Sequence, residues 1–161
     1  MTRTGIGFDT HRLVACRPLV IGGVVIPHEC GLLGHSDADV LVHAIMDALL
    51  GAIADGDIGQ HFPPGDARWQ DANSIELLRL VVTRLHTHGW QVVNVDSTVL
   101  AEAPRLAPHI PNMRICLAEA LGVDTMQVSV KATTNEGLGA IGRREGISAM
   151  AVATVIPMEA P

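Results

Sequence analysis

The sequence predicts an α+β fold: a mixed four-stranded sheet with a small hairpin beside it and helices packed on one face. Three observations carry that expectation. Gln91 to Ala101 alternates apolar and polar residues and is rich in Val, the pattern of a strand. Ser36 to Gly51 and Asn73 to His88 read as helices with start and stop residues at their ends. Taken in chain order, the elements run β-β-α-α-β-α-β-β, with the two longest helices adjacent rather than alternating with strands.

Residues 4–9 alternate and open the sheet. Leu19 to Ile26 is an apolar run with Gly22-Gly23 inside it and Pro27 after it, which predicts a pair of short strands or a bulged hairpin. Ser36 is the expected N-cap of the first helix, with Asp37 and Asp39 in a first turn whose dipole favours carboxylates. Asn73 and Glu76 have capping-box spacing, and Gly89 suits the position after the second helix. A third helix is expected from Asn112, just after Pro111, to Leu121, followed by Gly122. Val128 to Ala132 and Gly146 to Ile156 supply the last strands. The final strand is too apolar on both faces to stand in water, so an oligomer is expected.

Composition narrows the function. The chain of 161 residues is one domain, 1–161, long enough to bury a core. With no Tyr, two Phe and two Trp, that core is built from Val, Leu, Ile, Ala and Met, and base stacking is poorly served. A formal charge of −6 also argues against nucleic-acid binding. Cys16, Cys30 and Cys116 are odd in number and far apart, the pattern of reduced thiols in a cytosolic protein. There is no membrane-length apolar run, and Met1 to Phe8 lacks a signal-peptide core, so a soluble, cytoplasmic protein is expected.

The chemistry-bearing residues fall into four groups. Asp9-Thr10-His11 ends the first strand, and residues two apart on a strand point to the same side. Asp39, His43 and Asp47 form a polar stripe at i, i+4 and i+8 among apolar neighbours, which is costly to bury without compensation. A Zn2+ on Asp9, His11 and His43, with Asp47 orienting one imidazole, is one compensation; a hydrogen-bonded core histidine is the other. Spacing does not choose between them. His35 and Ser36 precede the helix, where N–H groups suit phosphate, although Ser36 also reads as a plain cap. Asp55 to Gly59 and His61 to Asp66 are a loop dense in Gly and Pro. Lys131 to Glu136 gathers a lysine, two adjacent hydroxyls and a carboxylate, the groups that a diphosphate and Mg2+ require. Arg143 and Arg144 follow, with donors suited to phosphate oxygens. No P-loop is present.

Together these segments resemble the 2-C-methyl-D-erythritol 2,4-cyclodiphosphate synthases of the non-mevalonate isoprenoid pathway. The resemblance runs from Gly5 to about Ile156. It rests on Gly7-Phe8-Asp9-x-His11, Gly34-His35-Ser36-Asp37-x-Asp39, Asp47-Ala-Leu-Leu-Gly51 and Gly56-Asp57-Ile58-Gly59. Further along it rests on Ala103-Pro104-Arg105, His109-Ile110-Pro111, Lys131-Ala132-Thr133-Thr134-x-Glu136 and Gly142-Arg143-x-Glu145-Gly146. It implies a phosphorus–oxygen lyase that closes 4-diphosphocytidyl-2-C-methyl-D-erythritol 2-phosphate into a cyclic diphosphate and releases CMP. It implies one Zn2+ per subunit, replaceable by another divalent cation, on Asp9, His11 and His43, and Mg2+ or Mn2+ arriving with substrate at Glu136. His35 and Thr134 are implied as catalytic, aided by Ser36 and Thr133. Asp57, Gly59 and the 61–66 loop, Asp66 included, are implied to hold the erythritol. Ala101, Pro104, Arg105 and Leu106 are implied to hold the cytidyl group, and Arg143 to contact substrate. The family forms homotrimers with sheets facing the three-fold axis and active sites between subunits. Arg105 stands where Lys is common, Pro64 where many relatives carry an acid, and Ala140 where some carry Phe. The alternative reading is a non-catalytic metal- and nucleotide-binding trimer.

Overall fold

The computed structural model describes residues 1–159. The strands are β1 (Arg3–Ala15), β2 (Leu19–Ile21), β3 (Val24–Ile26), β4 (Cys30–Leu32), β5 (Trp90–Leu100), β6 (Val128–Thr133) and β7 (Gly146–Pro157). The helices are α1 (Val40–Ala52), α2 (Ile58–His61), α3 (Ser74–Thr87), α4 (Ile110–Leu121) and α5 (Gly139–Gly142). The main sheet has five strands in the order β4-β1-β7-β5-β6, and β2-β3 form the separate hairpin. Only β5 and β6 run parallel; the other pairs are antiparallel.

The expected sheet was one strand short. β1 continues past Asp9, pairing with β7 as far as Arg12, and its last residues, Leu13 to Ala15, pair with β4. Cys30-Gly31-Leu32 is too short to show a period of two, so the fifth strand had no pattern to announce it. The hairpin turns at Gly22 (φ 60°) and Gly23 (φ 75°), a conformation that favours glycine.

Helix α1 begins three residues later than expected. Its N-cap is Asp39, not Ser36. The Asp39 carboxylate accepts the N–H groups of Val42 (3.1 Å), Gly22 (2.9 Å) and Gly23 (2.7 Å), and the residue is fully buried. One side chain therefore starts the helix and anchors the hairpin turn onto it. Burial raises the Asp39 carboxyl above its ordinary value, and these N–H donors oppose the rise. Ser36 Oγ instead accepts the Ala38 N–H at 3.2 Å. At α3 the expected capping box is not formed: Asn73 caps the Ile75 N–H, while Glu76 pairs with Arg79. Helix α4 takes Pro111 into its first turn, where the missing N–H costs nothing, and ends at left-handed Gly122.

α1 lies against β1 and β7 at the centre of the core, with only Asp47 and Gly51 of its thirteen residues not buried. Two glycines of β1 set its distance from the sheet. A Cβ on Gly5 would lie 2.0 Å from the Ala48 carbonyl oxygen, and one on Gly7 would lie 1.9 Å from that of Ala44. The helix backbone rests directly on the strand.

Gly7→Ala should therefore force the two elements apart and destabilise the protein by about 3 kcal/mol, at the upper end for overpacking. Gly51→Ala is the control, because a Cβ there meets nothing nearer than the Ile6 carbonyl oxygen at 3.9 Å. It should stabilise by roughly 0.5–1 kcal/mol through helix propensity. Urea unfolding of both variants reads the two signs, and a neutral Gly7→Ala would contradict the close approach.

Candidate active site

On β1, residues 5, 7, 9 and 11 share one face, and the two glycines among them bring α1 within reach of the other two. His43 precedes Ala44, the residue in closest contact with Gly7, so its ring meets Asp9 and His11. His43 Nδ1 lies 3.0 Å from Asp9 Oδ2 and 3.1 Å from His11 Nε2, and His11 Nε2 lies 2.8 Å from the same carboxylate oxygen. The three are the only group among the described residues whose ligand atoms lie close enough to hold a metal ion together.

Each imidazole is oriented from its far side. His11 Nδ1 faces the Leu33 carbonyl at 2.9 Å, an acceptor only, so that nitrogen carries a proton and Nε2 is free to bind a cation. His43 Nε2 lies 3.1 Å from both the Ser36 and Ser74 hydroxyls. Asp47, expected to orient an imidazole, does something else: it accepts the Ile58 N–H at 2.8 Å and fixes the start of α2. Peptide carbonyl and hydroxyl groups do the orienting, and neither stood out from spacing.

The cluster opens onto a cavity of about 200 Å³ lined by His35, Ser36 and Gly59 and by the apolar Met46, Ile58, Phe62, Pro64, Trp69 and Leu77. His35 Nε2 accepts the Gly65 N–H at 3.3 Å, tying the 61–66 loop, whose Phe62 and Pro64 line the cavity, to the residue before Ser36. Asp57 caps α2 through the Gln60 N–H. Asp66 is engaged with Arg68 at 2.6 Å and does not line the cavity.

A second, more open pocket gathers Ala101, Pro104, Arg105 and Leu106, the residues expected around the cytidyl group, together with Thr133 and Thr134, expected to act on phosphate. Glu102 also lines it, a residue that sequence reasoning missed; its carboxylate accepts the N–H groups of Asn135 (2.8 Å) and Gly137 (3.3 Å) and shapes the turn after β6. Thr134 donates to Glu136 at 3.2 Å, and Glu136 sits at φ 52°, unusual for a residue with a side chain. Arg143 is brought to neither pocket within the chain; it pairs with Glu145 at 2.6 Å.

A family model described as the YgbB family matches residues 2–156. The chain belongs to the YgbB family. The 2-C-methyl-D-erythritol 2,4-cyclodiphosphate synthase of Syntrophomonas wolfei is 61% identical over 153 residues, covering 95% of this chain and 98% of that protein. That of Moorella thermoacetica is 58% identical over 158 residues, 98% of this chain and 97% of that one. Among solved structures, the bifunctional IspDF from Campylobacter jejuni superposes with a TM-score of 0.95 at 39% identity, covering 99% of this chain and 43% of that one. Plasmodium falciparum IspF in complex with CDP gives 0.86 at 33% identity, covering 98% of this chain and 97% of that one.

In this YgbB-family site, burial alone would raise the Asp9 carboxyl, but the His11 and His43 imidazoles held against it outweigh burial and keep the group well below the usual carboxylate range. Burial alone would lower His11, but its bond to Asp9 reverses that and raises it. Without a metal, a proton on His11 is the cation that holds the cluster together.

The signs follow from linkage. The depressed Asp9 contributes stability above the ordinary value of 3.8, lost as pH falls through its lowered one. The raised His11 contributes below 6.5, and that is lost as pH rises through its raised value. Chelator-treated protein should therefore melt at a lower temperature as pH rises from 6.5 to 8.5, and Asp9→Asn should flatten that fall. A wild-type midpoint that holds steady or climbs over this range would contradict the proton's role.

Proposed function

We propose that this chain is a 2-C-methyl-D-erythritol 2,4-cyclodiphosphate synthase, acting as a homotrimer in the cytoplasm. The observation that carries the reading is the convergence of Asp9, His11 and His43 at a cavity that His35 and Ser36 line, in a chain similar end to end to such synthases. In the reaction, a 2-phosphate oxygen of the cytidyl substrate forms a bond to the β-phosphorus. The bond from that phosphorus to the CMP oxygen breaks, and CMP leaves with the electron pair. The attacking phosphate is already anionic, so no protein base is required, and catalysis is positioning plus charge stabilisation.

The donor set fits a metal. Two imidazole nitrogens and one carboxylate oxygen converge, a set that suits Zn2+ and leaves a further position open. A divalent cation held there by Asp9, His11 and His43 would supply Lewis acidity toward phosphate oxygens. Glu136, an oxygen ligand beside Thr134, suits Mg2+ or Mn2+ arriving with the diphosphate. His35 and Thr134 can donate to phosphate oxygens, and the hydroxyls of Ser36 and Thr133 add to them. Asp57 and the Gly59 backbone would take the erythritol hydroxyls, with Asp66 on the adjacent 61–66 loop. Ala101, Pro104, Arg105 and Leu106 serve the cytidyl group. Phosphate occupying His35 must compete with its bond to the loop at Gly65.

Two features support a site shared between subunits. Asp9, Ala149, Val99 and Ala132 lie on one row across the sheet. Three strand spacings separate the first from the last, about 14 Å. That is too far for Asp9 and the Thr134–Glu136 turn of one chain to grip adjacent phosphates of one diphosphate. The outer sheet face also leaves Ile6 (66% exposed) opposite Val152 (40%) and Phe8 (56%) opposite Met150 (43%), an apolar patch suited to burial among three copies.

A mixing experiment tests reaction and assembly together. His43→Ala should lose metal and CMP release. Glu136→Gln should keep zinc yet fall roughly a hundred- to a thousandfold in CMP release. Co-refolded in equal amounts, the two variants should recover about one quarter of wild-type activity, because a site drawing on two subunits receives both intact residues by chance. No recovery would place the site within one subunit, and absence of CMP from the wild type would leave only a metal- and nucleotide-binding protein.

A further inference from the structure

We propose that Ser74, clamped by Asp37, fixes which nitrogen of His43 carries the proton and so presents a bare Nδ1 to a metal ion. This inference rests on the metal reading above and adds two positioning residues to it.

Ser74 is fully buried at the first position of α3. Its hydroxyl donates to Asp37 Oδ1, and its backbone N–H donates to Asp37 Oδ2 at 2.9 Å. The Asp39 N–H at 3.2 Å also reaches Asp37 Oδ1. A carboxylate only accepts, so the single hydroxyl proton of Ser74 is committed to Asp37. Toward His43 Nε2, 3.1 Å away, the Ser74 oxygen can then only accept. Nε2 must carry a proton, and in a neutral imidazole Nδ1 then carries a lone pair.

Two neighbours would favour the opposite tautomer if nothing opposed them. Asp9 Oδ2, 3.0 Å from Nδ1, would accept a proton from it. Ser36 Oγ accepts the Ala38 N–H but keeps its own proton, which it could donate to Nε2 at 3.1 Å. The Asp37–Ser74 pair decides the matter. It also turns the Ser36 proton away from His43 and toward the cavity that Ser36 lines, where an anionic oxygen can take it. Ordering of α3 is thereby linked to the readiness of a ligand on α1.

Long-range 1H–15N spectra of metal-free wild-type protein should show His43 protonated at Nε2; a proton on Nδ1 alone would overturn the proposal without any variant. Asp37→Asn keeps the shape but can donate to the Ser74 oxygen, freeing the Ser74 proton for Nε2. It should shift the His43 tautomer and weaken Co2+ binding, followed by visible absorbance, about 10- to 100-fold. Ser74→Ala should weaken Co2+ to a similar degree, and Ser74→Thr, which keeps the hydroxyl, should recover most of the loss. Wild-type Co2+ affinity and an unchanged tautomer in Asp37→Asn would overturn the assignment. A wild-type protein that takes up no Co2+ would instead defeat the metal reading, which the metal-free spectrum does not depend on.

Discussion

The contact between α1 and β1 is the constraint from which the rest follows. Gly5 and Gly7 remove two side chains from the strand face, and the Ala44 and Ala48 carbonyls occupy the space. The strand's period of two then leaves Asp9 and His11 as the next side chains on that face, and the helix places His43 beside Ala44. Glycine in a strand costs conformational entropy and removes a packing partner. The compensation is a helix buried on nearly every side, with Val40, Leu41, Ile45, Met46 and Leu49 at zero exposure. The same contact thus builds the core and the metal-ligand cluster.

Electrostatics gives the cluster its direction. A carboxylate oxygen and two imidazole nitrogens within about 3 Å of one another are all potential acceptors, and only a shared cation reconciles them. A proton on His11 does so in part; a divalent ion would do so more fully, by binding nitrogens whose far sides face Leu33, Ser36 and Ser74. The chain's overall charge of −6 would repel a diphosphate, so attraction has to be local. Asp9, His11 and His43 with a bound cation would supply it at one site, and Arg105 lines the second pocket.

Much of this was legible in the residues. The Gly22-Gly23 hairpin, the cap and stop of α3, and the shared face of Asp9 and His11 all follow from local rules, and the structure keeps each. The convergence of His43 on that pair required the motif resemblance, because helix and strand periods do not say where two elements touch. Asp39 and Asp47 were read as one stripe with His43, yet each is satisfied by backbone N–H groups from segments distant in the chain. Ser74 and Glu102 went unseen for the same reason: their partners, Asp37 and the Asn135–Gly137 turn, are 37 and about 33–35 residues away. β4 escaped because three residues cannot display a period.

The central claim is that the glycine-permitted approach of α1 to β1 creates a site that holds a metal ion. Diffraction from crystals of the wild-type protein at energies above and below the zinc absorption edge tests it most directly. The account predicts one anomalous peak per subunit, bounded by Asp9, His11 and His43 and absent below the edge. No peak at that cluster in zinc-supplemented crystals, or a peak held by other side chains alone, would contradict it.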